Sequence, residues 1–370
     1  MFRITLVAGA RPNFIKIAPI VAALDAKIKE GEPLRYRLVH TGQHYDEKMS
    51  QRFFDDLEIH PPDINLGAGG GTQAEQTAAI MIGFEKELLT NPADVVVVVG
   101  DVTSTLACSI VSKKERVLLA HVEAGIRSFD LTMPEEINRM VTDSITDFFF
   151  TTSAYATENL LNIGVPRSSI YFVGNVMIDT LLAHRHRFRP PTIWTKEGLQ
   201  PKKFVVLTLH RPSNVDSPIR LAELLATITS SLPDLPIIFP VHPRTRQSLK
   251  EIQELPGNLR LCEPMGYLEF NYLVDRALGV ITDSGGITEE TTVLNIPCIT
   301  LRDSTERPET VHQGTNELVG NRLDELKKYL ELMRQEKWKK GHVPDLWDGN
   351  SARRIVDSLC QALSLKNSLV

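Results

Sequence analysis

The chain has 370 residues, 42% of them hydrophobic and 24% charged, which is ordinary for a globular protein and long enough for two cores. Its formal net charge of -5 argues against a nucleic-acid surface, which needs a basic field. Apolar runs are only strand-sized, so no membrane span is expected, and the four cysteines without CxxC spacing (Cys108, Cys262, Cys298, Cys360) predict reduced thiols in a cytoplasmic protein.

In chain order, residues 2–8 are apolar, are followed at once by Arg11, and read as a first buried strand rather than a leader. The first strand series is Arg3–Ala8, Arg35–His40, Asp94–Val99, Val117–His121, Phe148–Thr152 and Ile170–Val173. A helix starting near Asn175 and a Pro- and Arg-rich connection, His184 to Lys203, lead into a second series. That series is Phe204–Leu209, Ile237–Val241, Leu259–Leu261, Leu278–Thr282 and Cys298–Leu301. Helices alternate with these strands, which predicts an α/β protein built of two doubly wound, Rossmann-like parallel sheets. The hinge between the halves is placed near Asn175.

Polar residues gather where these strands end, as ligand sites do in open α/β sheets. The first half offers Arg11, Gln43, His44, Asp101 and Glu123; the second offers His210, Arg211, His242, Asp283, Ser284 and Arg302. Such lined strand ends in both halves predict a cleft between two domains. Acids at Asp101, Glu123 and Glu135-Glu136, with arginines nearby, point to proton transfer on an anionic substrate.

Asp283-Ser284-Gly285-Gly286 stands between a strand and a helix carrying Glu290. Small residues there let backbone N–H groups approach a phosphate, and Glu290 is placed to accept from ribose hydroxyls; a capped helix start with tight packing is the other reading. Gly9-Ala10-Arg11-Pro12 followed by Lys16 is a second strand–turn–helix with cations at its entrance. Arg211, Arg302 and Arg307 come from polar loops after strands, and His242 is either a core histidine or a diphosphate ligand. The run Gly67 to Gly71 does not complete GxGxxG, and the Thr72-Gln73-Ala74-Glu75 after it is a capping box, so no dinucleotide cofactor is expected. No histidine spacing fits a catalytic metal and no GxSxG elbow is present.

Together these segments resemble the non-hydrolysing UDP-N-acetylglucosamine 2-epimerases. The matching motifs are GARPNFIKIAP from Gly9, TGQH from Thr41, VVGDVTSTLA from Val98, HVEAGIRS from His121, PEEINR from Pro134, VGNVMIDT from Val173, DSGGITEE from Asp283 and LRDSTERPE from Leu301. The resemblance implies a GT-B fold whose carboxy-terminal helix, from Ser351, crosses back to the first domain. The domains expected are 1–175 plus about 352–370, and 176–351 for UDP. Catalytic residues implied are Asp101, Glu123, Glu135 and His210. UDP contacts implied are Arg11, Phe270, Ser284, Gly285, Gly286, Glu290 and Arg307, with Lys16 close to the reacting sugar.

The resemblance further implies a homodimer that interconverts UDP-N-acetylglucosamine and UDP-N-acetylmannosamine for surface polysaccharide, by eliminating UDP to a 2-acetamidoglucal and adding it back. Three departures stand out. Ala10 and Asn13 replace a threonine and a glutamate, and Pro212-Ser213-Asn214 replaces a more polar continuation after His210-Arg211. The glutamine and arginine that bind an activating second substrate in some members are missing at Asp46 and within Gly69 to Gly71. Alternatives are epimerisation of a modified UDP-sugar such as a diacetamido uronic acid, or a GT-B glycosyltransferase.

Overall fold

The computed structural model describes residues 1–43 and 53–367. They form two compact units, one comprising Met1–Ala183 with Asp345–Val370 and the other His184–Pro344.

The first unit is a seven-stranded parallel sheet of order β3-β2-β1-β4-β5-β6-β7. Its strands are β1 (Phe2–Ala8), β2 (Leu34–His40), β3 (Ile64–Asn65), β4 (Val95–Val99), β5 (Leu118–Val122), β6 (Phe148–Thr151) and β7 (Ile170–Phe172). Every residue of β4 is buried, as a strand with helices on both faces requires. The helices are α1 (Arg11–Lys29), α2 (Gln73–Thr90), α3 (Thr103–Lys114), α4 (Pro134–Ile145), α5 (Ala154–Asn162) and α6 (Val176–His184). The expected capping box opens α2: Thr72 N–H donates to Glu75 Oε2 (2.8 Å) and Glu75 N–H to Thr72 Oγ1 (3.2 Å).

The second unit repeats the plan with six parallel strands, order β10-β9-β8-β11-β12-β13. These are β8 (Val205–Thr208), β9 (Ile237–Pro240), β10 (Leu259–Cys262), β11 (Gly279–Thr282), β12 (Cys298–Thr300) and β13 (Asn316–Leu318). Its main helices are α7 (Pro218–Ser231), α8 (Pro243–Leu249), α9 (Tyr267–Arg276), α10 (Gly285–Leu294) and α11 (Leu323–Arg334). A core of Leu, Ile and Val from β8, β9, α7 and α11 fills one face of this sheet. In both sheets strand order reverses beside the first strand, between β1 and β4 and between β8 and β11, and α/β sheets bind ligands outside that point.

The last helix, α12 (Ser351–Asn367), returns to the first unit and packs on α1. Lys27 reaches Asp357 (2.8 Å), and buried Asp179 accepts the Ala352 N–H (2.6 Å). Trp347, just before the helix, is fully buried and donates its indole N–H to the Thr152 carbonyl (2.9 Å).

Gly125, two residues after Glu123, holds φ +78°, and a Cβ there would run into the Ala156 carbonyl at the start of α5. Gly125→Ala combines left-handed strain with a backbone clash and is expected to cost roughly 2–4 kcal/mol. A lowered urea midpoint of the purified variant, followed by circular dichroism, checks this; an unchanged midpoint contradicts the packing.

Candidate active site

The first unit brings its acids together through the parallel register of β4 and β5, in which Val99 lies beside Val122. The chain turns at Gly100 with φ +72°, so Asp101 leaves β4 next to Glu123 leaving β5. Glu123 itself has φ +71°, a conformation that costs a side-chain-bearing residue about 1–3 kcal/mol and persists only where surroundings impose it. Its N–H donates to the Phe150 carbonyl (3.0 Å), and its Oε2 accepts from Lys16 Nζ at 2.6 Å. The Glu123 side chain is 2% exposed and that of Lys16 12%, so the pair is nearly dry. A Cβ on Gly100 would sit 3.2 Å from Lys16 Nζ and 3.7 Å from Glu123 Oε2, and glycine leaves that space to the ion pair.

Asp101 is held from the other side. Arg139 of α4 donates Nη2 (2.6 Å) and Nε (3.0 Å) to Asp101 Oδ2, and its Nη1 to buried Glu136 (2.5 Å). Glu136 also accepts the Ser128 and Phe129 N–H groups, which ties down the loop between β5 and α4. Glu135, one residue earlier in the first turn of α4, is partly exposed and has no ion-pair partner among the described residues. Farther along α4, Asp143 pairs with His121 of β5 (2.7 Å) and with Arg127 (2.6 Å).

Asn13, where the resemblance expects glutamate, turns out to cap the turn into α1. Its Oδ1 accepts from Gly9 and Ala10 N–H, and its Nδ2 donates to the Val99 carbonyl at 2.9 Å. The amide thus links the Gly9 turn to the end of β4. Gln43 accepts from the Ser104 hydroxyl (2.8 Å), which also bonds Thr41 (2.7 Å). Arg11 opens α1 but its side chain lies outside the described part of the molecule, as do His44 and Asp46 entirely.

In the second unit the hub is Asp283, fully buried at the end of β11. It accepts from the N–H groups of His210 (3.0 Å) and Arg211 (2.9 Å), from Asn214 Nδ2 (3.1 Å), and lies 2.8 Å from His210 Nδ1. Burial would raise its pKa, but the His210 ring and these hydrogen bonds prevail and hold it below the usual carboxylate range. His210 Nδ1 is thereby committed to Asp283, which orients an imidazole whose side chain is 39% exposed. His242 stands 6.0 Å away, ring centre to ring centre, its pKa lowered by burial and then by the charges of His210 and Arg244.

Ser284 is the N-cap of α10 and makes no side-chain capping bond. The Ser284-Gly285-Gly286 turn therefore offers backbone N–H groups and a hydroxyl at the positive end of a ten-residue helix. Arg302 pairs with Glu306 (2.8 Å) and Arg307 with buried Glu289, so these two arginines come with their charge largely compensated. Phe270 lies partly exposed on α9, and Arg211 is partly buried beside His210, its Nε without a hydrogen-bond partner. Glu290 is buried, and burial pushes its pKa up to about 7, against the hydrogen bonds of Tyr267 and Asn271. No group of three His, Cys, Asp or Glu among the described residues is placed to hold a metal ion.

With this geometry in hand, comparison with known proteins is specific. The UDP-N-acetylglucosamine 2-epimerase family profile matches residues 26–360. A UDP-N-acetylglucosamine 2-epimerase of Methanocaldococcus jannaschii is 41% identical over 366 residues, covering 96% of this chain and 98% of the relative. The chain belongs to the UDP-N-acetylglucosamine 2-epimerase family. It is accordingly an isomerase, and its two parallel-sheet units are those of the GT-B fold. The crystal structure of the M. jannaschii epimerase with UDP-GlcNAc and UDP superposes with a TM-score of 0.85 at 40% identity, covering 96% of this chain and 99% of that one. A UDP-2,3-diacetamido-2,3-dideoxy-D-glucuronate 2-epimerase of Pseudomonas aeruginosa is 39% identical over 326 residues, covering 87% of this chain and 89% of the relative.

Arg139 is absent from the site expected of the sequence, although it lies inside a motif quoted for the resemblance, and Glu136 and Asp283 are read there as helix-start and strand-end acids without an assigned role. The Glu136–Arg139 spacing of i,i+3 on a helix was the available signal. The tie from Arg139 to Asp101, 38 residues away, had none.

Because Glu290 binds its proton more tightly folded than unfolded, it favours the folded state fully below its unfolded pKa of 4.5, and that contribution is lost as pH rises through about 7. Glu290→Gln removes the titration, and we expect it to gain stability over the wild type by up to roughly 3 kcal/mol at alkaline pH and little in acid. Urea unfolding of both proteins at acid and alkaline pH measures this; parallel pH profiles would contradict it.

Proposed function

We infer that this protein interconverts UDP-N-acetylglucosamine and UDP-N-acetylmannosamine. The observation that carries the reading is the buried Lys16–Glu123 pair at 2.6 Å beside Asp101, in a chain matching the epimerase family almost end to end. Hydrogen at C-2 of such a sugar has no neighbouring carbonyl and is not acidic. It becomes so when the bond from C-1 to the diphosphate oxygen breaks, because positive charge then develops at C-1. The oxygen leaves as UDP with the bonding pair, a carboxylate takes the C-2 proton, and a 2-acetamidoglucal remains. Readdition of UDP at C-1 with protonation at the opposite face of C-2 gives the epimer.

Residues of the chain suit each step. Glu123 and Glu135 are the base and acid for the two faces, with Asp101 tuning their ionisation or itself carrying a proton. Lys16 pairs with Glu123 and lies close to the sugar. Arg11, Arg307, the Ser284 turn and His210, steadied by Asp283, stabilise the departing diphosphate as an oxyanion hole would. Glu290 accepts from the ribose hydroxyls. Arg211, His242 and Arg302 complete the lining that receives the anionic diphosphate and Phe270 the uracil side, with Gln43 and His44 toward the sugar.

A second reading has its own support in the P. aeruginosa relative, whose substrate by name is a diacetamido glucuronate nucleotide. Relative kcat/KM on that nucleotide and on UDP-N-acetylglucosamine separates the two. In deuterated water, appearance of the manno epimer with deuterium at C-2 establishes the first reading; an inert UDP-N-acetylglucosamine refutes it. Glu123→Gln is expected to slow C-2 exchange about 10²–10⁴-fold while UDP affinity by calorimetry is kept, since the carboxylate acts on the sugar. Exchange at the wild-type rate removes Glu123 from the mechanism.

The functional unit proposed is a homodimer acting in the cytoplasm on precursors of surface polysaccharide. Four free thiols fit a reducing compartment, and no described helix is long and apolar enough to cross a membrane. Supporting the dimer, Ile82, Leu131, Ile137 and Met140 on and beside α2 and α4 are 43–64% exposed. They flank a groove of about 630 Å³ lined by Met81, Leu106, Leu131 and Ile137. Sedimentation equilibrium is expected to give twice the chain mass for the wild type and the monomer mass for the Leu131→Asp, Ile137→Asp double variant.

A further inference from the structure

We propose that His121 donates from both ring nitrogens inside the first sheet and that, through the Gly100 carbonyl, it is the positioning residue for Asp101 and Glu123. The ring lies on β5 between Val98 of β4 and Phe149 of β6, with its side chain 1% exposed. Nδ1 is 2.7 Å from Asp143 Oδ1 and Nε2 is 2.9 Å from the Gly100 carbonyl oxygen. A backbone carbonyl only accepts. A neutral imidazole has one N–H, so facing two acceptors it would turn a lone pair toward an oxygen.

Protonation of Asp143 is the other way to satisfy the ring, and the surroundings oppose it. Asp143 Oδ2 already accepts from Arg127 Nη1 (2.6 Å) and from the Gly125 N–H (3.1 Å), and the Arg127 charge favours the ionised carboxyl. Burial alone would raise the Asp143 pKa, yet the charges and hydrogen bonds of His121 and Arg127 keep it below the usual carboxylate range. The charged groups around the ring are thus Asp143 from α4 and Arg127 from the loop after β5, and the flanking strand residues are apolar. Arg127 and the imidazolium against one carboxylate leave a positive excess beneath the Gly100–Asp101 turn.

The ring's contact with that turn is direct. The His121 Nε2–H fixes the direction of the Gly100 carbonyl, and with it the peptide that leads into Asp101. Lys16 Nζ and Glu123 Oε2 both lie over the same glycine. Helix α4 grips the turn twice, Arg139 by the Asp101 carboxylate and Asp143 by His121. Neither grip touches substrate, so His121 acts by holding geometry rather than by moving a proton.

The test is nitrogen-15 NMR of the full-length protein labelled at histidine, with His121 assigned by the signals missing from His121→Gln. A ring with protons on both nitrogens is expected; a neutral single-N–H tautomer overturns the proposal. In Asp143→Asn the same ring is expected to lose one of these protons, and a doubly protonated ring that survives overturns the role of Asp143. Should His121→Gln not fold, assignment passes to the signal that Asp143→Asn shifts.

The kinetic arm alone rests on the epimerase reading. With UDP-N-acetylglucosamine, His121→Gln is expected to lose kcat on the order of 10–100-fold with KM and UDP affinity within about threefold, the signature of misplaced acids. An unchanged kcat, or an equal loss of UDP binding, overturns the positioning role. If the wild type turns over no UDP-N-acetylglucosamine, the functional reading fails while the ring nitrogens still decide this one.

Discussion

Carboxylates taken out of water must be given cations, and this requirement organises the end of the first sheet. Glu123, Glu136 and Asp143 have side chains 2%, 1% and 0% exposed. Isolated in such surroundings each would give up its charge. Each instead meets a cation: Glu123 meets Lys16 of α1, 107 residues earlier, Glu136 meets Arg139 of its own helix, and Asp143 meets Arg127 of the loop before that helix. Removing one partner of a buried pair typically costs about 3–5 kcal/mol, because the charge left behind is uncompensated. The acids and the helices around them are therefore conditions for one another. Helix α4 shows it best, since Glu136, Arg139 and Asp143 recur at i, i+3 and i+7 on its buried face.

The second unit meets the same requirement with one carboxylate and many donors. Asp283 holds two successive backbone N–H groups, an asparagine amide and the His210 ring, so the loop after β8 is built around it. Nearby arginines are compensated by Glu306 and Glu289. Bare positive charge is therefore scarce in this unit, and what it presents to an anion is the glycine-rich N-terminus of α10, with Glu306 beside Gly285, and local dipoles. Such preorganised groups cost little to reorganise when charge develops on a leaving group.

Strands were legible because parallel strands buried on both faces write themselves as short continuous apolar runs, and β4 is five valines. The strands missed, β3 and β13, have two and three residues and no such run; they exist through backbone pairing with a neighbour already in place. At the site, the acids and arginines carried by ordered motifs were readable, and so was the family. Their partners were not: Lys16 was placed near the sugar but not against Glu123, Asp283 was read as a strand-end acid but not as the hub for His210, and Arg139 went unremarked. Asn13 looked like a lost glutamate, whereas the fold uses its amide to join two strand ends.

Reading the residues in order yields the alternation of strand and helix, the chemistry gathered at strand ends and membership of the epimerase family. These are local properties, set by periodicity, by turn-forming residues and by short motifs. Which charge neutralises which belongs to the folded chain alone. The register of β4 beside β5, two glycine turns and the return of α4 bring together groups up to 107 residues apart, and strong Coulombic attraction between them exists only once packing has excluded the water that would screen it.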